Sequence, residues 1–224
     1  LLKERYGFSD ERMIELYDEE ASRKGIVRAF SSLKRKTTDK DSLFIYYAGH
    51  GGRESTGKEK TQKETVPGNG YWVPSDAALD DLASVIFNSQ VRDYMANIPA
   101  RHIFAVVDSV FSGASLLRGR SSPVESTQEP YLKRSRCIVL SGGLYPAPDV
   151  ADKSKTGHSV FAWHFTKILR QNTNPYLLGV DIVEPLTLRV VNEVKDQAPI
   201  MAIVGDAGDE DGRFVFRLKK EFRK

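Results

Sequence analysis

The sequence predicts an α/β domain: a mostly parallel sheet with helices on both faces, a three-layer α-β-α arrangement. Three observations predict it. Short runs of continuous apolar residues, four to six long, end at Gly, Asp or Ser-Gly. Stretches with apolar residues at helical spacing lie between those runs. The two kinds alternate along the chain, as strands and crossover helices do in parallel sheets. Continuous apolarity, rather than alternation, is what a sheet buried on both faces requires. No internal repeat is present, and residues 1–224 read as a single domain.

Taken in order, Ser22 is placed to cap a first helix in which Ile26, Phe30 and Leu33 recur at i, i+4 and i+7, ending in the cations Lys34-Arg35-Lys36. Leu43 to Ala48 follows as a buried strand. Ser89 is placed to cap a second helix carrying Val91, Tyr94 and Ile98, with Pro99 just past its end. Ile103 to Val107 and Cys137 to Leu140 are the second and third buried strands. Phe161, Phe165, Ile168 and Leu169 mark a third helix. Pro185, suited to a first helical position, opens a fourth with Leu186, Val190 and Val194. Arg213 to Leu218 alternates Phe214, Phe216 and Leu218 with Arg213, Val215 and Arg217, the pattern of an edge strand wet on one side. Two polar stretches, Arg53 to Thr65 and Gly119 to Pro130, are expected to be mobile.

Composition narrows the function classes. Forty per cent hydrophobic and 28% charged residues are ordinary for a soluble globular protein. The net charge, 33 − 30 = +3, sits on basic residues that are spread rather than striped, so no nucleic-acid partner is expected. No apolar run approaches the roughly 18 residues of a membrane span, and Leu1-Leu2-Lys3-Glu4-Arg5 has no signal-peptide pattern. The single cysteine, Cys137, can form neither an intrachain disulfide nor a cysteine-based zinc site, and a reducing, cytoplasmic compartment is the expectation.

In open α/β sheets the working residues gather at the carboxyl ends of the strands. Three strand ends here carry polar, glycine-flanked sequence. They are Tyr46-Tyr47-Ala48-Gly49-His50-Gly51-Gly52, then Val107-Asp108-Ser109-Val110-Phe111-Ser112-Gly113, then Leu140-Ser141-Gly142-Gly143 with Asp149 beyond. A histidine at a strand end between glycines has rigid support and an open approach, which suits a general base.

These segments resemble the caspase-like cysteine peptidases, in the branch that holds metacaspases, paracaspases and their bacterial relatives. That family has His-Gly after a hydrophobic strand, Asp-x-Cys-x-Ser-Gly after the next long strand, then Ser-Gly with an Asp beyond. Further segments are similar to the bacterial members: Glu20-Ala21-Ser22, Gly70-Tyr71-Trp72-Val73-Pro74-Ser75-Asp76, Gly157-His158-Ser159-Val160-Phe161-Ala162 and Gln197-Ala198-Pro199. The resemblance runs from Tyr6 to Leu218 and implies the caspase/hemoglobinase fold and a Cys-His endopeptidase. By resemblance His50 is the base, and the backbone N–H groups of Gly51 and residue 110 form the oxyanion hole. By resemblance Asp108, helped by the Ser141 backbone and Asp149, lines the pocket for the residue before the cut. A carboxylate there implies peptide or protein substrates with Arg or Lys, held by charge-assisted hydrogen bonds. The 60 residues from His50 to position 110 are compatible with the roughly 50 of caspases. No cofactor is implied, although some metacaspases use calcium. Residues 119–136 correspond to an inter-subunit linker, and Arg120, Lys133, Arg134 and Arg136 are self-cleavage candidates.

Two departures stand out. Val110 occupies the position of the nucleophilic cysteine. Valine has no nucleophilic atom, and losing the nucleophile costs on the order of 10⁶ in rate by analogy with subtilisin, so the chain is expected to be inactive as written. Cys137, inside a core strand, is a poor substitute. Two origins fit: a natural pseudopeptidase serving as a peptide- or protein-binding regulatory module, or a replacement made to stop cleavage. The family's first strand, internal to its sheet, also has no counterpart before Tyr6. A preceding portion, or another segment, regulatory domain or chain, is expected to supply it.

Plainer readings apply elsewhere. His102, His158 and His164 read as surface or satisfied core histidines. Asp108 is also compatible with a strand-end cap, and Gly142-Gly143 carries little as a phosphate loop. Asp80-Asp81 and the acidic run 206–211 read as solvated loops rather than calcium sites. Trp163 and Phe165 read as core.

Overall fold

A computed structural model of the chain describes residues 1–54, 69–78, 80–109, 130–142, 157–195 and 197–224, together with the backbone of 117–118. The helices are α1 (Leu2–Tyr6), α2 (Arg23–Lys36), α3 (Asn88–Asn97), α4 (Val160–Gln171) and α5 (Gly179–Glu193). The strands are β1 (Ser42–Ala48), β2 (Gly51–Arg53), β3 (Gly70–Trp72), β4 (Ile86–Phe87), β5 (His102–Asp108), β6 (Leu117–Arg118), β7 (Ser135–Leu140), β8 (Tyr176–Leu178), β9 (Ile200–Val204) and β10 (Val215–Arg217). The central sheet has the order β1-β5-β7-β9-β6. Its first three strands are parallel, β9 runs antiparallel to β7, and β6 antiparallel to β9.

Successive side chains of a strand point to opposite faces, and here each face has its own helices. Ile103, Ala105 and Val107 of β5 and Ile138 and Leu140 of β7 pack with Ile26 and Phe30 of α2 and Val91 and Met95 of α3. Phe104, Val106, Cys137 and Val139 face the other way, onto Phe161 and Phe165 of α4 and Ile182 and Leu186 of α5. The result is the three-layer, mostly parallel α/β caspase-like arrangement.

The structure departs from the sequence expectations in several places. β1 is half-buried rather than buried, because it is the sheet's edge among the described residues. Its seven residues carry no charge, proline or bulge to blunt that edge. Ser22 does cap α2, accepting from the Gly25 N–H at 3.1 Å. Ser89 does not cap α3; Phe87 is the N-cap, and the Gln90 side chain accepts its N–H at 3.0 Å. Pro185 lies inside α5 rather than opening it. Burial of Ile182, Leu186 and Val190 on one stripe extends the helix back to Gly179 despite the backbone bond that proline cannot make. The alternation in Arg213 to Leu218 is real, with Phe214, Phe216 and Leu218 buried. That strand pairs with β8 in a separate two-stranded ribbon, not at the edge of the main sheet. β9, β8 and the three-stranded β2-β3-β4 sheet are additional elements.

Arg136, 0% exposed, projects from β7 beneath the end of α3. Its guanidinium donates to the carbonyls of Met95 (3.1 Å), Ile98 (3.0 Å), Arg101 (3.0 Å) and Ser135 (2.8 Å). Two of these belong to the last turn and C-cap of α3, where carbonyls lack helical partners and a cation is favoured. Arg136 is therefore no self-cleavage point in the folded chain. Arg134 is tied as well, its N–H donating to Glu210 and its carbonyl accepting from Glu210 and Gly212. A Cβ at Gly212 would run into the Lys133 and Arg134 backbone, so only glycine allows this approach. Arg120 and residues 119–129 of the expected linker, and all but Arg53 and Glu54 of the expected Arg53 to Thr65 loop, lie outside the described residues.

Candidate active site

β1 and β5 end together. Ala48 pairs with Asp108, and the Gly49 N–H donates to the Asp108 carbonyl at 3.3 Å. The chain then turns, and His50 lies exposed next to these strand ends. Its carbonyl is held at 2.6 Å by the Tyr47 hydroxyl and at 3.0 Å by the Val73 N–H. Tyr47 stacks on buried Trp72, with ring centroids 4.2 Å apart, so the backbone carrying His50 rests on the core. Burial, opposed by a hydrogen bond with the Val73 backbone, pushes the Tyr47 hydroxyl up to about 12.

The strand after His50 pairs Gly51 with Trp72 and Gly52 with Tyr71. Backbone bonds at Val73 to His50 and Glu54 to Asn69 fix the alternation of this antiparallel pair. Positions 50, 52 and 54 face β3, so the N–H of Gly51 points to the opposite side of β2.

Asp108 closes β5. Its Oδ2 accepts from the Ser159 hydroxyl at 2.6 Å and has the Tyr46 hydroxyl at 3.4 Å. Burial and then the Asp108 charge hold the Tyr46 hydroxyl well above its ordinary range. Ser141 follows β7 with its side chain turned inward. Its hydroxyl donates to the Ser109 carbonyl and accepts the Ser109 N–H, both at 3.1 Å, while its own N–H donates to Val107. The Ser141 side chain thus stitches β5 to β7. Val110 and Asp149 lie outside the described residues.

The sequence expectations missed Ser159 and Tyr46. The signal for Ser159 was a serine opening an apolar helical stretch, after Gly157. The other histidines fall where the plain reading put them. His102 shares a 2.9 Å bond with Ser42, His164 a 2.7 Å bond with Glu193, and His158 is exposed. Phe165 is core. The acidic loops bond to backbone: Asp81 accepts from Ala83, and Asp209 from Arg136 and Asp211. Among the described residues, no three His, Cys, Asp or Glu side chains cluster as a metal site. No helix there is long and apolar enough to cross a membrane.

Fold and strand-end geometry define the class: an α/β domain built like a caspase. The family model described as metacaspase, peptidase C14 domain, matches residues 1–117, and the chain belongs to that family. Metacaspase-1B of Aspergillus niger is 29% identical over 175 residues, covering 71% of this chain and 38% of that protein. Metacaspase-1B of Aspergillus oryzae is 29% identical over 124 residues, covering 51% and 28%. The chain thus matches well under half the length of these curated relatives. A crystal structure of protein GSU0716 from Geobacter sulfurreducens shares the fold, with a TM-score of 0.57 at 14% identity over 93% of this chain and 81% of that one.

Proposed function

We propose that this chain is a caspase-like endopeptidase domain of the type that cuts after Arg or Lys, inactive as written because position 110 is valine. The observation that carries the proposal is the adjacency of His50 and Asp108 at the ends of two paired parallel strands. In this reading His50 is the base that takes the thiol proton when residue 110 is cysteine. The N–H groups of Gly51 and residue 110 stabilise the charge developing on the scissile carbonyl. Asp108, with the Ser141 backbone and Asp149, receives the substrate cation. Partners are peptides or proteins, with neither nucleic acid nor membrane, no cofactor, a cytoplasmic setting and kinship to the bacterial members. The outer edge of β1, unpaired among the described residues, supports a further strand there, supplied by another segment or chain.

A second reading, a binding module that holds a basic peptide without cutting it, is favoured by Val110 itself. An arginyl chloromethyl ketone peptide separates the two. On the first reading Val110→Cys is alkylated at residue 110, and adding His50→Ala slows that reaction at least a hundredfold. Equal labelling with and without His50 removes the base from the account and leaves the binding module.

A further inference from the structure

We infer that Ser159 is a positioning residue for recognition of a guanidinium or ammonium side chain: it aims the Asp108 carboxylate and locks it to the amino end of α4. The inference rests on the reading of Asp108 as the carboxylate that receives the substrate cation.

Ser159 is the N-cap of α4 (φ −66°, ψ 158°), and its Oγ accepts the Ala162 N–H at 2.9 Å. A hydroxyl has one proton, and the capping bond uses an oxygen lone pair. The proton is thereby directed at Asp108 Oδ2, 2.6 Å away, within the range of a charge-assisted O–H···O⁻ bond. Capping needs only the acceptor. Donation to a carboxylate 51 residues earlier in the chain is a separate job.

The support behind this bond is rigid. Gly157, at φ +76°, makes the turn into the cap in a region that side-chain-bearing residues avoid. Phe161, Phe165 and Leu169 anchor α4 against the sheet face that carries Phe104 and Val106 of β5. The Tyr46 ring packs on Phe165 with centroids 6.1 Å apart and brings its hydroxyl to the same Oδ2. A neutral hydroxyl orients a carboxylate without adding a charge of its own, so the Asp108 carboxylate is held in one orientation. Bidentate recognition of a guanidinium depends on that fixed geometry more than on charge alone.

The test compares a fluorescent tripeptide amide ending in arginine with its citrulline counterpart, the same shape without the charge. Binding is read as anisotropy on the 224-residue chain with Val110 in place. Ser159→Gly removes the hydroxyl, while glycine at an N-cap costs only a few tenths of a kcal/mol, so the fold is kept. The arginine-over-citrulline preference is expected to fall about tenfold in Ser159→Gly, to survive in Ser159→Thr, and to vanish in Asp108→Asn. An unchanged preference in Ser159→Gly, with Asp108→Asn abolishing it, overturns the role of Ser159 and leaves Asp108 standing. No preference in the unmodified chain, or one that survives Asp108→Asn, overturns the Asp108 reading and this inference with it.

Discussion

Replacing Arg136 with leucine removes the guanidinium that donates to the Met95 and Ile98 carbonyls at the end of α3; the Arg101 carbonyl keeps the Ser135 N–H at 2.9 Å, and the Ser135 carbonyl lies in the β5–β7 ladder. Each buried acceptor left without a donor costs about 1–3 kcal/mol. Taking about 2 kcal/mol for each of those two carbonyls, and returning about 2 kcal/mol for the leucine buried in its place, the net loss is about 2 kcal/mol. That is a large share of the roughly 5–15 kcal/mol that holds a domain together. Urea unfolding followed by tryptophan fluorescence reads it directly. With a slope of about 3 kcal/mol per molar, the midpoint falls by roughly 0.7 M. Arg136→Lys, with three donors on one nitrogen, lies between leucine and the parent. A leucine variant within about 1 kcal/mol of the parent refutes the claim that this guanidinium holds β7 to α3.

Two pH dependences follow. The Tyr47 hydroxyl is raised to about 12 by burial, so between pH 10 and 12 the unfolded chain has lost a proton that the folded chain keeps. Stability is expected to fall as pH rises through that window, and Tyr47→Phe to flatten the fall; matching alkaline unfolding curves contradict this. Burial, with the carbonyl of Tyr131 opposing it, holds His102 below its ordinary 6.5, with the Arg101 charge adding to the lowering. The unfolded chain then binds the proton first, so the His102 contribution is complete above pH 6.5 and is lost as pH falls below it. His102→Asn should lessen the loss of stability between pH 6.5 and 5; an identical slope in both proteins argues against it.

The three central strands were legible because β5 and β7 are buried on both faces, and such strands write themselves as unbroken apolar runs. β1 has the same composition but half the burial, and no local pattern reports its place at the end of the sheet among the described residues. β9 is an apolar run too, Ile200 to Val204, yet its antiparallel place beside β7 is a tertiary fact that periodicity does not carry. α5 shows the limit of local rules: proline marks a helix start in isolation, and a buried stripe across it overrides that mark. The placement of His50, Gly51 and Asp108 at strand ends was legible because each stands in a specific run. Ser159 was not, since serine is common and its partner lies across the fold on β5. The bonds of the Ser141 side chain to Ser109 were not legible, since they too join residues far apart in the chain.

The central claim is that the peptidase site is whole apart from its nucleophile. Hydrolysis of fluorogenic peptides with Arg, Lys or Asp at the cleavage position, by this chain and by Val110→Cys side by side, tests it most directly. The account predicts silence from the valine form and cleavage by the cysteine form after Arg and Lys only. Cleavage confined to Asp, or silence from a folded Val110→Cys protein, contradicts it.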